Sequence, residues 1–202
     1  MEKKQYSEFG YKVFFKLKPA LKKILRIKAK GLENFPKESG FIIASNHRSH
    51  LDPPVVNIIA PVPVIFLAKS ELFKIPVFGW FIKKAGAIPV ERNKKSGNKS
   101  LIKALKLLKE GYTIGVFPEG TRAKPKEFLK PKAGIGLLIS KAKVPVVPVR
   151  IEGTDDIFPQ NSKIPKIGKT PIYVNIGKPI IFDENLEYEE IANKIMEEIK
   201  RL

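Results

Sequence analysis

Residues 41–54 read Phe41-Ile42-Ile43-Ala44-Ser45-Asn46-His47-Arg48-Ser49-His50-Leu51-Asp52-Pro53-Pro54. The apolar run 41–45 predicts a short buried strand. The proline pair predicts a helix start, because proline at the first helical position has no amide to leave unpaired. Asn46 to Asp52 therefore occupy a strand-to-helix turn, where an open α/β sheet presents its chemistry. Both histidines of the chain lie in this turn, with a carboxylate close behind them.

Outward from the turn, short apolar strands alternate with helical patterns. Strands are predicted at 64–68, 87–90, 112–117, 146–151 and 172–176. Helices are predicted at 53–59, 98–110, 133–141 and 186–202, with an aromatic-rich helical pair over 71–84 interrupted at Pro76. The helix at 98–110 has an apolar stripe of Leu101, Leu105 and Leu108, and Gly111 stands at its C-cap position. Residues 31–40 read as a turn and 153–170 as loop. This alternation argues for one α/β domain, a largely parallel mixed sheet flanked by helices.

The length of 202 residues suits a single domain with a substantial core. There is no cysteine, which excludes disulfides, a thiol nucleophile and cysteine-ligated metal. The unusual property is charge: 38 Lys+Arg against 20 Asp+Glu give +18. A field of that sign calls for an anionic partner, whether nucleic acid, a lipid surface or a phosphorylated substrate. No zinc module, RNA-binding aromatic signature or helix-turn-helix pattern supports nucleic acid. Nor does any run reach the roughly 18 apolar residues of a membrane span. The N-terminus lacks a secretory signal, and the sequence reads as cytoplasmic and peripheral to the membrane.

Residues 5–28 form a basic amphipathic segment. Tyr6, Phe9, Val13, Leu17, Leu21, Ile24 and Leu25 recur at helical spacing among lysines, and Pro19 is expected to kink or divide the helix. Such a segment either packs on the core with a solvated lysine face or lies on an anionic bilayer.

Five residues of ideal helix turn through about 500°, so His47 and Asp52 cannot face each other along one helix. They meet only if His47 lies in the turn and Asp52 begins the helix. Asp52 before a proline is a natural N-cap, and Ser49 competes for that place. A carboxylate beside an imidazole holds its tautomer and makes it a general base; the alternative is a loop histidine beside a capping aspartate. His50 has no third metal ligand at a recognisable spacing and takes no assigned role.

Three further stretches carry chemistry. Phe117-Pro118-Glu119-Gly120-Thr121-Arg122 follows a strand; Gly120 permits a tight turn, while Thr121 and Arg122 offer donors suited to phosphate. Gly86-Ala87-Ile88-Pro89-Val90-Glu91-Arg92 ends in an arginine that either binds phosphate or pairs with Glu91 or Glu119. Val144-Pro145-Val146-Val147-Pro148-Val149 is a proline-bearing strand, read as a sheet edge or as pocket lining.

Together, in order and spacing, these stretches resemble the motifs of the glycerolipid acyltransferases, in particular the 1-acyl-sn-glycerol-3-phosphate acyltransferase family with its H-x4-D motif. Asn46, His47, Ser49 and Asp52 match the first motif, and Phe117 to Arg122 match F-P-E-G-T-R in full. The second motif matches at Gly86 to Arg92 with two departures, Pro89 where an aromatic is usual and Glu91 where an aspartate is. Arg48 stands where glutamine is frequent.

The resemblance implies that His47, oriented by Asp52, deprotonates the free hydroxyl of lysophosphatidic acid, which attacks the thioester of acyl-CoA or acyl-carrier protein to give phosphatidic acid. It implies that Arg92 holds the acceptor's phosphate, that Glu119, Gly120, Thr121 and Arg122 shape the acceptor site, and that Lys69 contributes a further cation. Glycerol-3-phosphate or another lysolipid is the alternative acceptor. No cofactor or metal is implied. On this reading residues 1–30 are a membrane-interface segment and 31–202 the catalytic domain, with an anionic membrane as partner of 5–28 and no nucleic acid.

Overall fold

The structure is a computed structural model that describes residues 5–76, 78–90, 94–162, 164–166, 170–183 and 185–202. In chain order its elements are α1 (Glu8–Ile24), β1 (Ile27–Lys30), β2 (Ile42–Ser45), α2 (Asp52–Ile59), β3 (Val64–Lys69), α3 (Phe78–Lys84) and β4 (Ile88–Val90). There follow α4 (Lys94–Lys109), β5 (Thr113–Val116), α5 (Ala133–Ala142), β6 (Val146–Glu152), α6 (Thr154–Ile157), β7 (Ile172–Ile176) and α7 (Tyr188–Arg201). A 3-10 turn over Ser70–Lys74 precedes α3.

The strands form one seven-stranded sheet in the order β1-β7-β6-β2-β5-β3-β4. From β6 to β4 all neighbours are parallel; β7 runs antiparallel to β6, and β1 runs with β7. The largely parallel mixed sheet expected from the alternation is thus observed. Strand residues alternate between its two faces. Ile43, Val147, Val149 and Val174 meet Val55, Val56, Ile58 and Ile59 of α2 on one face. Ile42, Ala44, Val116 and Val146 meet α4, α5 and α7 on the other, through Leu107, Leu108, Leu138, Ile191 and Ile195. Burial on both faces is why these strands read as near-continuous apolar runs.

Several expectations are corrected. Residues 27–30, assigned to the N-terminal segment, form β1 and pair with β7, Ile27 opposite Ile172. Val144 to Val149 does not form an edge: β6 lies between β2 and β7, with Pro148 opposite Ala44 in the ladder. The loop predicted at 153–170 begins with the short helix α6.

The helix α1 also departs from its reading, since it continues through Pro19 as a single element. Its apolar residues fall on two sides. Tyr11 is buried, and Phe14 and Leu21 pack on the core beneath α1 and α2. The Tyr11 hydroxyl lies 3.3 Å from both Asn57 Oδ1 and the Val64 carbonyl, and Lys18 Nζ donates to the Ala60 carbonyl at 2.6 Å. Burial draws Lys18 down to about 8. The other side leaves Phe9 79% exposed, with Val13, Leu17 and Ile24 also in the open. Among the described residues no helix is long and apolar enough to cross a membrane.

Candidate active site

Ser45 ends β2, and the chain passes through Asn46–Leu51 into α2, so the turn sits at the carboxyl end of a central strand. Asn46 anchors its start. The Asn46 side chain donates to the Ile151 carbonyl at 2.9 Å and accepts from the Ile151 amide at 2.8 Å, so an amide side chain bridges β2 to β6.

His47 and Asp52 meet, with Nδ1 2.8 Å from Asp52 Oδ2. That oxygen also accepts from the Arg48 amide (2.7 Å) and the Ser49 amide (2.8 Å). These amides explain a correction: neither Asp52 nor Ser49 is the N-cap of α2. Leu51 occupies the cap, and Asp52 is the first helical residue with its carboxylate turned back over the preceding loop. Asp52 is 1% exposed. Its other oxygen accepts from the Thr154 hydroxyl at 2.6 Å. A buried carboxylate with four donors is held in one orientation, and through it the imidazole, with Nδ1–H donating and Nε2 left to accept a proton.

The far face of the imidazole is held too. His47 stacks on Phe117, with centroids 3.9 Å apart and planes 13° apart, and Phe117 in turn stacks on Phe66. The backbone of His47 is tied to the F-P-E-G-T-R turn at both ends. Its amide donates to Glu119 Oε1 at 2.9 Å, and its carbonyl accepts from the Ala123 amide at 2.8 Å.

Glu119, 1% exposed, spends its other oxygen on the Leu129 amide at 2.8 Å. Burial raises its carboxyl above the usual carboxylate value, and the Leu129 and His47 amides oppose that. The Glu119 side chain thus shapes the site as a strut between backbone segments, and it does not line the cavity. Gly120 adopts a positive φ of 68°, the conformation its residue type was expected to supply.

A cavity of about 980 Å³ opens at the turn. Its polar lining includes His47, His50, Lys69, Thr121, Arg122 and Lys132. Its apolar lining includes Val13, Phe14, Leu72, Leu101 and Ile135, and the 64% exposed Trp80 also faces it. His50, given no role from sequence, is drawn down to about 4 by burial, then by Arg122 and His47, with Lys69 adding to the effect against Asp52. It is neutral in a locally cationic cluster. Burial lowers the Arg122 guanidinium from its ordinary value while Asp52 opposes, and Arg122 Nη1 is buried with no hydrogen-bond partner among the described residues. Arg92 lies outside the described residues. Sequence reasoning missed Thr154, which reaches Asp52 from a distant segment, and Lys132, which lines the cavity; neither has a local motif to announce it.

Comparison with known proteins agrees with this geometry. A family model described as Acyltransferase matches residues 26–152. This chain belongs to the acyltransferase family. A 1-acyl-sn-glycerol-3-phosphate acyltransferase of Bacillus subtilis is 36% identical over 80% of this acyltransferase chain and 79% of its own length. One from Saccharomyces cerevisiae is 33% identical over 83% of the chain and 55% of its own length. The crystal structure of the 1-acyl-sn-glycerophosphate (LPA) acyltransferase PlsC from Thermotoga maritima superposes with a TM-score of 0.78 at 30% identity, covering 94% of this chain and 76% of that one. The family resemblance drawn from the motifs is borne out.

Proposed function

We propose that this acyltransferase moves a fatty acyl group from a thioester donor to the free hydroxyl of 1-acyl-sn-glycerol-3-phosphate, giving phosphatidic acid. The observation that carries the reading is the His47–Asp52 pair facing a large cavity that is apolar over most of its wall and cationic around the pair. One substrate end is hydrocarbon and the other is phosphate, and the lining suits both.

His47 Nε2 takes the acceptor's hydroxyl proton as the oxygen attacks the thioester carbon. The tetrahedral adduct collapses with cleavage of the carbon–sulfur bond, and the imidazolium returns the proton to the departing thiolate. The buried Asp52 carboxylate stabilises the imidazolium between these steps. Arg122, with a buried N–H lacking an acceptor among the described residues, and Lys69 supply donors for the acceptor's phosphate. Arg92 shares that task by family resemblance. The donor is acyl-CoA or acyl-carrier protein, and the chemistry as written uses no further cofactor.

Both substrate classes are amphipathic, so the protein works at a membrane surface. The exposed Phe9, Val13, Leu17 and Ile24 of α1, interleaved with exposed Lys12, Lys16 and Lys23, support contact of residues 5–28 with the anionic leaflet that faces the cytoplasm.

The test is a panel of acceptors offered with oleoyl-CoA and read by lipid mass spectrometry. Lysophosphatidic acid is expected to be acylated in preference to glycerol-3-phosphate and to lysolipids with larger headgroups. His47→Ala is expected to lower kcat by roughly 10²- to 10⁴-fold with an unchanged thermal melt. A folded His47→Ala enzyme of undiminished rate would remove the mechanism.

A further inference from the structure

Between β5 and α5 the chain runs from Phe117 to Lys132 without regular secondary structure. Uncommonly long connections of this kind in compact domains tend to be functional. This strap carries Arg122, and its beginning is fastened to the catalytic turn. Ala123 donates to the His47 carbonyl, and Gln160 Nε2 donates to the Ala123 carbonyl at 2.6 Å. Beyond Ala123 the Leu129 amide donates to Glu119 and the Lys132 amide to the Pro118 carbonyl at 2.9 Å, and between these and Ala123 the strap is held by Glu127 and Phe128.

Phe128 sits among three cations. Arg48 Cζ lies 4.9 Å from its centroid, Arg150 Cζ 5.6 Å and Lys200 Nζ 5.9 Å. They come from three separate places: the catalytic turn, β6 and α7. Arg48 is 5% exposed, and its Nη2 donates to the Glu127 carbonyl at 3.2 Å. Arg150 donates to Glu152 Oε1 and to the Lys200 carbonyl, both at 2.7 Å. The Nε atoms of both arginines are buried without a hydrogen-bond partner among the described residues. Guanidinium groups that forgo a hydrogen bond beside an aromatic face are held by the ring's negative quadrupole, which also lets like charges gather around it.

Arg48 therefore touches two parts of the site at once. Its amide donates to Asp52 Oδ2, while its side chain grips the strap that carries Arg122. It does not line the cavity. We propose that Phe128, seated in the Arg48–Arg150–Lys200 cluster, is a plug that sets the position of Arg122, so that Phe128 and Arg48 are positioning residues for the phosphorylated acceptor. Substrate selectivity then depends on a contact outside the cavity, made by residues from three elements. The assignment of the acceptor rests on the function proposed above; the seating of the plug does not.

Two measurements separate these claims. Limited trypsin digestion reads the seat without any substrate, because Lys126, followed by Glu127, is exposed on the strap, while Lys124 and Lys130 precede prolines and resist trypsin. Phe128→Leu and Arg48→Gln, checked by thermal melt, are expected to speed cleavage after Lys126, and Phe128→Tyr, which keeps the ring, to leave it at the wild-type rate. In steady-state assays with oleoyl-CoA and lysophosphatidic acid, Phe128→Leu is expected to raise the acceptor KM roughly tenfold, with donor KM and kcat within about twofold. Lys200→Ala, an exposed change that leaves both arginines, is expected to move the acceptor KM in the same direction by less. Unchanged cleavage in folded Phe128→Leu, or a rise in both KM values together, would overturn the plug. Accelerated cleavage in an enzyme that acylates no lysophosphatidic acid would instead keep the plug and remove the acceptor.

Discussion

Thr154 touches neither cavity nor imidazole, yet its hydroxyl is the only side-chain donor described on Asp52 Oδ1. Thr154→Val keeps the shape and leaves a buried carboxylate oxygen unpaired. A hydrogen bond to a charged group contributes about 1.5–3 kcal/mol. Steady-state kcat is expected to fall roughly ten- to a hundredfold, and Thr154→Ser to recover most of it. A valine enzyme as fast as wild type would show that the three donors on Oδ2 suffice. The His47–Asp52 pair was legible because its logic is local: spacing, a turn and a following proline. Thr154 was not, because its partner is more than half the chain away. The way the Glu119 side chain shapes the site was not legible for a similar reason. Its carboxylate is occupied by the amides of His47 and Leu129, partners that the motif does not announce.

Among the elements, β5 supports the site through a missing side chain. A Cβ on Gly115 would lie 2.3 Å from the Phe66 ring, and Phe66 backs Phe117, which backs His47. Gly115→Ala is expected to cost about 1–3 kcal/mol in a denaturant titration and to lower kcat as the stack shifts. Combining it with Phe66→Leu should restore part of the stability, a coupling that a double-mutant cycle reads directly. Independent, additive effects would break this chain of contacts. Strands and helices near the turn were legible from apolar runs and breakers. The strand β1 was not, since Ile27-Lys28-Ala29-Lys30 is short, half charged and becomes a strand only beside β7. Nor could periodicity assign the faces of α1, where Tyr11 and Phe14 pack on the core while Leu17 and Ile24, from the expected stripe, stand exposed.

At the scale of the whole molecule, the charge of +18 calls for an anionic partner. In sedimentation at physiological salt, the protein is expected to follow vesicles containing anionic lipid and to show no comparable retention on duplex DNA. Replacing Leu17 and Ile24 together by serine should weaken vesicle binding while leaving turnover of detergent-dispersed substrate intact; unchanged binding would move the contact elsewhere. The parallel centre of the sheet was legible as a class from alternation alone. Its order, with β7 reversed beside β6 and β1 completing the edge, was not, because pairing of distant strands leaves no local mark.

The chain has a single tryptophan, and Trp80 stands exposed at the lining of the cavity to which Phe9 and Val13 of α1 also contribute. The protein therefore carries its own optical reporter. A blue shift of its emission on adding vesicles would time arrival at the lipid without any label, and in the His47→Ala enzyme it would do so with turnover silenced.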